Sequence, residues 1–282
     1  MNEATTTPDA GSSRRDTLLG NTPEETARLI RQSALFRPMT RRLFVEAGIA
    51  EGMRVLDLGS GAGDVALLAA ELVGRDGEVI GIERDPSIIA IARGRAAVAG
   101  LTNVTYVEGD ITTYVPDGTF DALVGRLVLM YQPDPAAVVR RFLPMLRPGA
   151  IVAFHEADFQ TFVSEPPSEL LTRVVGWWLE TLRRANIEQR MGPRLYETLI
   201  QAGLPEPAMI MEAVIGGGDE SPVPTMLADV IRSVLPVMVR AGVVTEAEVD
   251  IDTLADRLRA EAVAGRGCVS SPALVGAWTR VP

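Results

Sequence analysis

A run of small residues and carboxylates near residue 57 is the first place in this chain where chemistry could be done. Val55-Leu56-Asp57-Leu58 is followed by Gly59-Ser60-Gly61-Ala62-Gly63-Asp64. A glycine turn between a strand and a helix lets the backbone approach a ligand closely. Gly61-x-Gly63-x-x-Ala66 fits a loose dinucleotide pattern, but the stricter pattern counted from Gly59 needs Gly or Ala where Asp64 stands. Asp57 lies two positions before the first glycine, where a carboxylate would face a pyrophosphate unfavourably and a cationic ligand favourably. Further along, Glu83 is placed to accept from both hydroxyls of a ribose. Asp110 in Gly109-Asp110-Ile111 could accept from an adenine amino group, with Ile111 against the ring. His155, the single histidine, has the side chain suited to a general base near neutral pH or to positioning an acceptor. Glu156 and then Asp158 are next in line for that task.

Composition removes other chemistries. All 27 basic residues are arginine. Mechanisms built on an essential lysine in this chain are therefore excluded, including the phosphate-loop and Schiff-base types. One histidine and one cysteine, Cys268, exclude any metal site made from several such ligands and any internal disulfide; no metal is expected. Cys268 itself reads as a small buried hydrophobe. A net charge of −10 disfavours nucleic acid as a partner. No apolar run reaches membrane-spanning length, and the first residues lack a secretory pattern. A cytoplasmic protein with no membrane partner is the expectation.

These residues need elements to hold them. Short apolar runs predict strands at 54–58, 78–83, 104–108, 120–124 and 150–155, alternating with helices at 65–73, 86–99 and 135–146. That alternation means βαβ units and a mostly parallel sheet. The carboxyl ends of its strands carry Asp57, Glu83 and His155, on the edge where open α/β sheets hold ligands. Residues 1–20 are polar and read as a tail. Residues 21–282 form one domain. Thr22-Pro23-Glu24 opens a helix to about Leu35, and Pro38 begins another to Ala47. Further helices are expected at 167–186, 193–202 and, as a pair, 222–265. A strand is expected at 209–215 and a closing strand at 274–281. The segments 22–47, 165–190 and 222–265 have no place in a simple doubly wound core and are candidate lid elements. Trp177 and Trp178 lie on the second of them, about 100° apart on a helix; either could pack the lid or form a stacking wall for a planar acceptor. Gln32 on the first could touch a cofactor but reads more readily as solvated. Arg41-Arg42, Arg140-Arg141 and Arg183-Arg184 read as solvated helix faces.

The loop Asp57-x-Gly59-x-Gly61-x-Gly63, Glu83-Arg84, Gly109-Asp110-Ile111 and Leu146-Arg147-Pro148-Gly149, in that order and spacing, resemble the class I S-adenosylmethionine-dependent methyltransferases. The resemblance covers residues 30–160, with a weaker echo in the last two strands. It implies a Rossmann-like doubly wound sheet of seven strands, the last antiparallel. It places the cofactor's methionine end on the turn of Gly59, Ser60 and Gly61, its ribose on Glu83, and its adenine between Arg84 and the Asp110 loop. Gly125-Arg126-Leu127-Val128-Leu129-Met130-Tyr131 resembles the segment after strand four in a subgroup acting on small molecules, including natural products and quinones. There Arg126 would contact cofactor or substrate, and Tyr131 would join the tryptophans on the substrate side. The Asn/Asp-Pro-Pro-aromatic motif of enzymes that methylate base or glutamine amino groups is missing. The reaction implied is transfer of a methyl group to an O, N or C nucleophile of a small apolar or aromatic metabolite, leaving S-adenosylhomocysteine. A non-methylating cyclase or binding scaffold on the same fold is the alternative, and a nicotinamide-dependent reductase a weaker one. A homodimer is left open.

Overall fold

The computed structural model describes residues 23–282; the expected tail and the Thr22 cap lie outside them. The central unit alternates strand and helix: β1 (Arg54–Leu58), α2 (Asp64–Val73), β2 (Glu78–Glu83), α3 (Pro86–Val98), β3 (Val104–Glu108), β4 (Phe120–Arg126), α4 (Pro135–Phe142) and β5 (Leu146–Asp158). It is preceded by α1 (Pro23–Ala47). After it come β6 (Ser164–Glu165), α5 (Glu169–Arg184), α6 (Met191–Gln201), β7 (Ala208–Glu212) and β8 (Ile215–Gly217). The chain ends through α7 (Val223–Arg240), α8 (Glu246–Val249), α9 (Leu254–Ala264), β9 (Cys268–Ser270) and β10 (Ala273–Arg280).

Seven strands form one sheet in the order β3-β2-β1-β4-β5-β10-β7. β10 runs antiparallel to both β5 and β7; the other neighbours pair in parallel. This is the expected doubly wound sheet with its last strand reversed. Side-chain alternation divides the core between the faces. Ile151 and Ala153 of β5 join the cluster under α1, α2 and α3, whereas Val152 and Phe154 join the one under α4 to α7. Several helix starts are capped as their sequences dictate. Asp85 accepts from the Ser87 and Ile88 amides, Asp134 from Ala137, and Ser168 from Leu171.

Four elements differ from expectation. The two N-terminal helices are one, α1, with Pro38 inside it. Proline removes a backbone donor, but Phe36, Met39, Leu43 and Phe44 bury one continuous face across it, and the Thr40 hydroxyl donates to the Phe36 carbonyl at 3.2 Å. β5 runs on to Asp158 because Glu156 and Asp158 are buried (0% and 4% exposed) rather than marking a strand end. The strand expected at 209–215 divides: β7 joins the large sheet and β8 a separate one, β6-β9-β8. Strands of two or three residues are too short to show a period. The helix pair expected at 222–265 includes a third, four-residue helix, α8, closed by a Thr245/Glu248 capping box.

Candidate active site

β1 delivers Asp57 to the carboxyl end of the sheet and then turns sharply. Gly59, Gly61 and Gly63 all adopt positive φ, at 62°, 51° and 89°. The Ser60 amide donates to the Ile82 carbonyl at 2.8 Å, and the Gly63 amide to the Ser60 carbonyl at 2.9 Å. A Cβ on Gly59 would come within 2.6 Å of Val128 Cγ2, and one on Gly63 within 2.4 Å of the Tyr106 hydroxyl. A Cβ on Gly61 would meet no atom nearer than the Gly59 carbonyl at 4.0 Å. The turn is thus packed behind and open in front, as a cradle for a ligand must be. Arg95 fastens it from α3, donating to the Ala62 carbonyl at 2.6 Å and pairing with Asp64 at 2.6 Å.

Asp57 is 1% exposed, and neither carboxylate oxygen has a hydrogen-bond partner. The Ser60 and Tyr106 hydroxyls beside the turn are buried without partners as well. Burial pushes the Asp57 carboxyl well above the ordinary carboxylate range, with the Arg126 guanidinium pulling the other way. An unpartnered buried carboxylate costs stability, and a cationic ligand group in the cradle would relieve it. Glu83, at the end of β2, faces the same turn: its Oε2 accepts from the Gly61 amide at 3.1 Å, and its Oε1 from the Arg84 and Asp85 amides at 2.8 and 3.1 Å. The Gly109 amide donates to the Glu83 carbonyl at 2.9 Å, which brings the Asp110 loop alongside. Asp110 accepts from the Thr112 amide and hydroxyl at 2.8 and 2.6 Å, and these bonds hold its carboxyl below the usual range. Ile111 is buried beside it. The residues expected to take methionine, ribose and adenine therefore lie along one edge in that order.

Arg126 ends β4 with its side chain buried. It donates to the Thr40 hydroxyl at 3.1 Å and to Ser33 at 3.5 Å, and stands 3.7 Å from Asp64. His155 is paired with Arg126 in register, and its Nδ1 contacts the same Thr40 hydroxyl at 3.1 Å. The imidazole is 1% exposed. Burial, and then the neighbouring Arg126 charge, lower its pKa to about 3. The expectation of a near-neutral base at a strand end is corrected here. His155 sits inside a paired ladder, between β4 and Gly276 of β10, as a neutral group holding α1 to the sheet. Glu156 points to the opposite face. Its Oε1 accepts from the Val128 and Leu129 amides at 2.9 and 2.8 Å, and burial raises its pKa to about 7. That carboxyl fastens the segment after β4, which carries Val128 against Gly59 and Leu127 at φ 53°. Asp158 accepts from the Gln160 amide and pairs with Arg190 at 3.3 Å.

A narrow apolar cavity of about 20 Å³ lies between α1, α5 and α7, room for one water. α1 contributes Gln32 and Phe36; α5 contributes Trp178; α7 contributes Met226, Leu227 and Val230. Leu127, Ala157, Phe159, Phe162, Pro272 and Leu274 complete the wall. All three segments singled out as extra to the core thus meet at one cavity. Of the expected substrate residues only Trp178 reaches it, its ring edge-on to Phe159 at 5.7 Å. Trp177 lies outside the lining, because only Trp178 shares the buried stripe of Leu171, Val174 and Leu182 on α5. Tyr131 closes a 3-10 turn at the surface, 39% exposed, and is likewise outside it. Gln32, read as solvated, lines the cavity. Thr40, Ser33, Tyr106 and Phe159 were not singled out in the sequence; only the period of α1 and the aromatic content near residue 160 hinted at them.

A family model for a methyltransferase domain matches residues 49–190. The chain belongs to the methyltransferase domain family. Aklanonic acid methyltransferase DauC of Streptomyces sp. (strain C5) is 36% identical over 135 residues, which are 47% of this chain and 61% of that protein. The 2-phytyl-1,4-naphtoquinone methyltransferase of Synechococcus elongatus is 37% identical over 116 residues, 40% of this chain and 50% of that protein. These matches span less than two thirds of either relative. The crystal structure of the YcgJ protein of Bacillus subtilis superposes with a TM-score of 0.55 at 17% identity, covering 86% of this chain and 99% of that one; that likeness concerns the fold. Among the described residues, no helix of this methyltransferase-family chain is long and apolar enough to cross a membrane.

Proposed function

We propose that the protein transfers a methyl group from S-adenosylmethionine to an O, N or C nucleophile of a small, largely apolar or aromatic metabolite in secondary metabolism. The observation that carries this reading is the buried, unpartnered Asp57 carboxylate beside the open front of Gly61. Asp57 and the glycine turn would hold the cofactor's methionine end, Glu83 its ribose, and Asp110 with Ile111 its adenine. When bound, the cofactor supplies an electrophilic methyl on a sulfonium. The chain's own part is alignment and exclusion of water. Arg126, held by Thr40 and Asp64, sets a fixed positive charge beside the cradle, suited to the cofactor's carboxylate. The apolar cavity receives the acceptor.

The cavity as it stands holds one water, far below the roughly 300–1,000 Å³ of a small-molecule site. The segments 22–47, 165–190 and 222–265 therefore act as a lid that must part for the acceptor to enter. An exposed ion pair, Arg31 with Asp229 at 2.7 Å, joins α1 to α7 across it. The substrates in the relatives' names, aklanonic acid and 2-phytyl-1,4-naphtoquinone, support a small-molecule acceptor, and the quinone ring of the second is planar. The test is calorimetric binding of S-adenosylmethionine, followed by S-adenosylhomocysteine release with a panel of phenolic and quinol acceptors. Cofactor binding without turnover on any acceptor would favour a non-methylating scaffold. Binding of NAD in preference to S-adenosylmethionine would overturn the assignment.

A further inference from the structure

Apart from the indole N–H of Trp178, Gln32 brings the one polar side-chain group to the lining of the acceptor cavity. A polar amide in so apolar a wall biases which polar atom of a ligand can be buried there, because an unmatched one is costly to bury. An amide can present either its oxygen or its NH2, and here the choice is made by Arg28. Arg28 is 4% exposed, and its Nη1 donates to Gln32 Oε1 at 2.7 Å. A guanidinium has no acceptor, so the amide oxygen must face it. Among the described residues no partner is present for Gln32 Nε2, and the NH2 is left as the amide's outward group.

We infer that Gln32, oriented by Arg28, is a specificity-determining residue that donates a hydrogen bond to a carbonyl, enolate or phenolate oxygen on an otherwise apolar acceptor. This rests on the methyltransferase reading of the site and narrows its substrate class. An acceptor whose buried polar atom is only a donor, such as an indole N–H, cannot use this NH2. Arg28 sharpens the choice, since its positive charge polarises the amide and strengthens the donor. The same oxygen class is what an ionisable phenol or enol offers before methylation, so one hydrogen bond serves both to select the acceptor and to favour its ionised form.

The experiment uses two probes of one shape, 1-indanone and indane, which differ by the carbonyl oxygen. Binding of each is measured by ligand-observed NMR titration to the full chain with S-adenosylhomocysteine present. Wild-type protein is expected to prefer indanone. Gln32→Leu, which keeps the bulk and removes the donor, is expected to weaken indanone about 10–100-fold and leave indane unchanged or tighter. Gln32→Glu, which keeps the pairing with Arg28 and replaces the NH2 by an acceptor, is expected to lose indanone in the same way; it serves also if the leucine variant does not fold. Wild-type protein that binds both probes equally, or neither, overturns the inference, as does equal loss of both in the variants. Calorimetry with S-adenosylmethionine on the same samples reads the broader assignment separately. Absence of cofactor binding in the wild type sinks the methyltransferase reading, whereas cofactor binding without discrimination between the probes sinks only the role of Gln32.

Discussion

Asp57→Asn is the substitution that most directly questions the cofactor site. The change keeps the shape of the side chain and removes its charge. In the structure the carboxylate is fully buried with neither oxygen in a well-formed hydrogen bond, and desolvation raises its pKa against the pull of Arg126 and the Ala66 amide. A sulfonium and an ammonium brought to within about 5 Å would each attract it by roughly 3 kcal/mol at an effective dielectric of 20. Part of that gain is offset by the cost of ionising a carboxyl whose pKa burial raises. The net loss in Asp57→Asn should be about 1.5–3 kcal/mol, or roughly 10–150-fold in Kd. The sign of the pH dependence follows. Only the ionised form attracts the cation, so the cofactor lowers the pKa and binding releases a proton. Affinity in the wild type should therefore rise with pH through the raised pKa of the free protein, and in Asp57→Asn this rise should vanish. Calorimetry of S-adenosylmethionine in buffers of differing ionisation enthalpy measures both affinity and proton release. A folded Asp57→Asn protein that binds within threefold of wild type, with the same proton release, would refute the reasoning.

Gly59→Ala should lower both Tm and cofactor affinity, because its Cβ meets Val128 and its φ is left-handed at about 1–2 kcal/mol for a residue with a Cβ; adding Val128→Ala should recover the steric part only, and full recovery would show that the backbone conformation costs nothing. His155→Gln should change kcat by less than tenfold and keep the limb of the pH–rate profile that rises with pH, since the imidazole is buried and neutral; a loss of 10²-fold or more, the range of proton-transfer catalysis, would restore the histidine as a base. Because the native pKa of His155 lies near 3, below the roughly 6.5 of an unfolded histidine, the unfolded chain binds the extra proton. Its contribution to stability is therefore complete above about pH 6.5 and falls away as pH drops towards 3, a decline that denaturant titrations should find absent in His155→Gln. Glu156 works in the opposite sense. Its native pKa near 7 exceeds its unfolded value of 4.5, so stability should fall as pH rises between them, by on the order of 3 kcal/mol. Glu156→Gln keeps an oxygen for the Val128 and Leu129 amides and should abolish that fall; an unchanged slope in urea unfolding would count against it.

The sheet and the cradle were legible in the sequence because both depend on local rules. Apolar runs alternating with helical patterns determine a parallel doubly wound sheet, and glycines between Leu58 and Asp64 determine a turn that side chains could not follow. Asp57, Glu83 and Asp110 end strands, and strand ends in such a sheet share one edge whatever the rest of the chain does. What tertiary structure alone decided is which groups meet across that edge. Burial set the chemistry of His155: its type promised a base, but α1 and β10 cover it, Thr40 takes its Nδ1, and Arg126 adds a repelling charge. α1 is one helix because packing on both sides of Pro38 outweighs a missing hydrogen bond, and that continuity carries Gln32 into the cavity. Trp177 and Trp178 are equivalent in sequence, and only the rotation of α5 against its neighbours chooses Trp178. Local pattern specifies elements and their ends. The partners of a buried polar side chain come from segments far apart in the chain, and no periodicity records them.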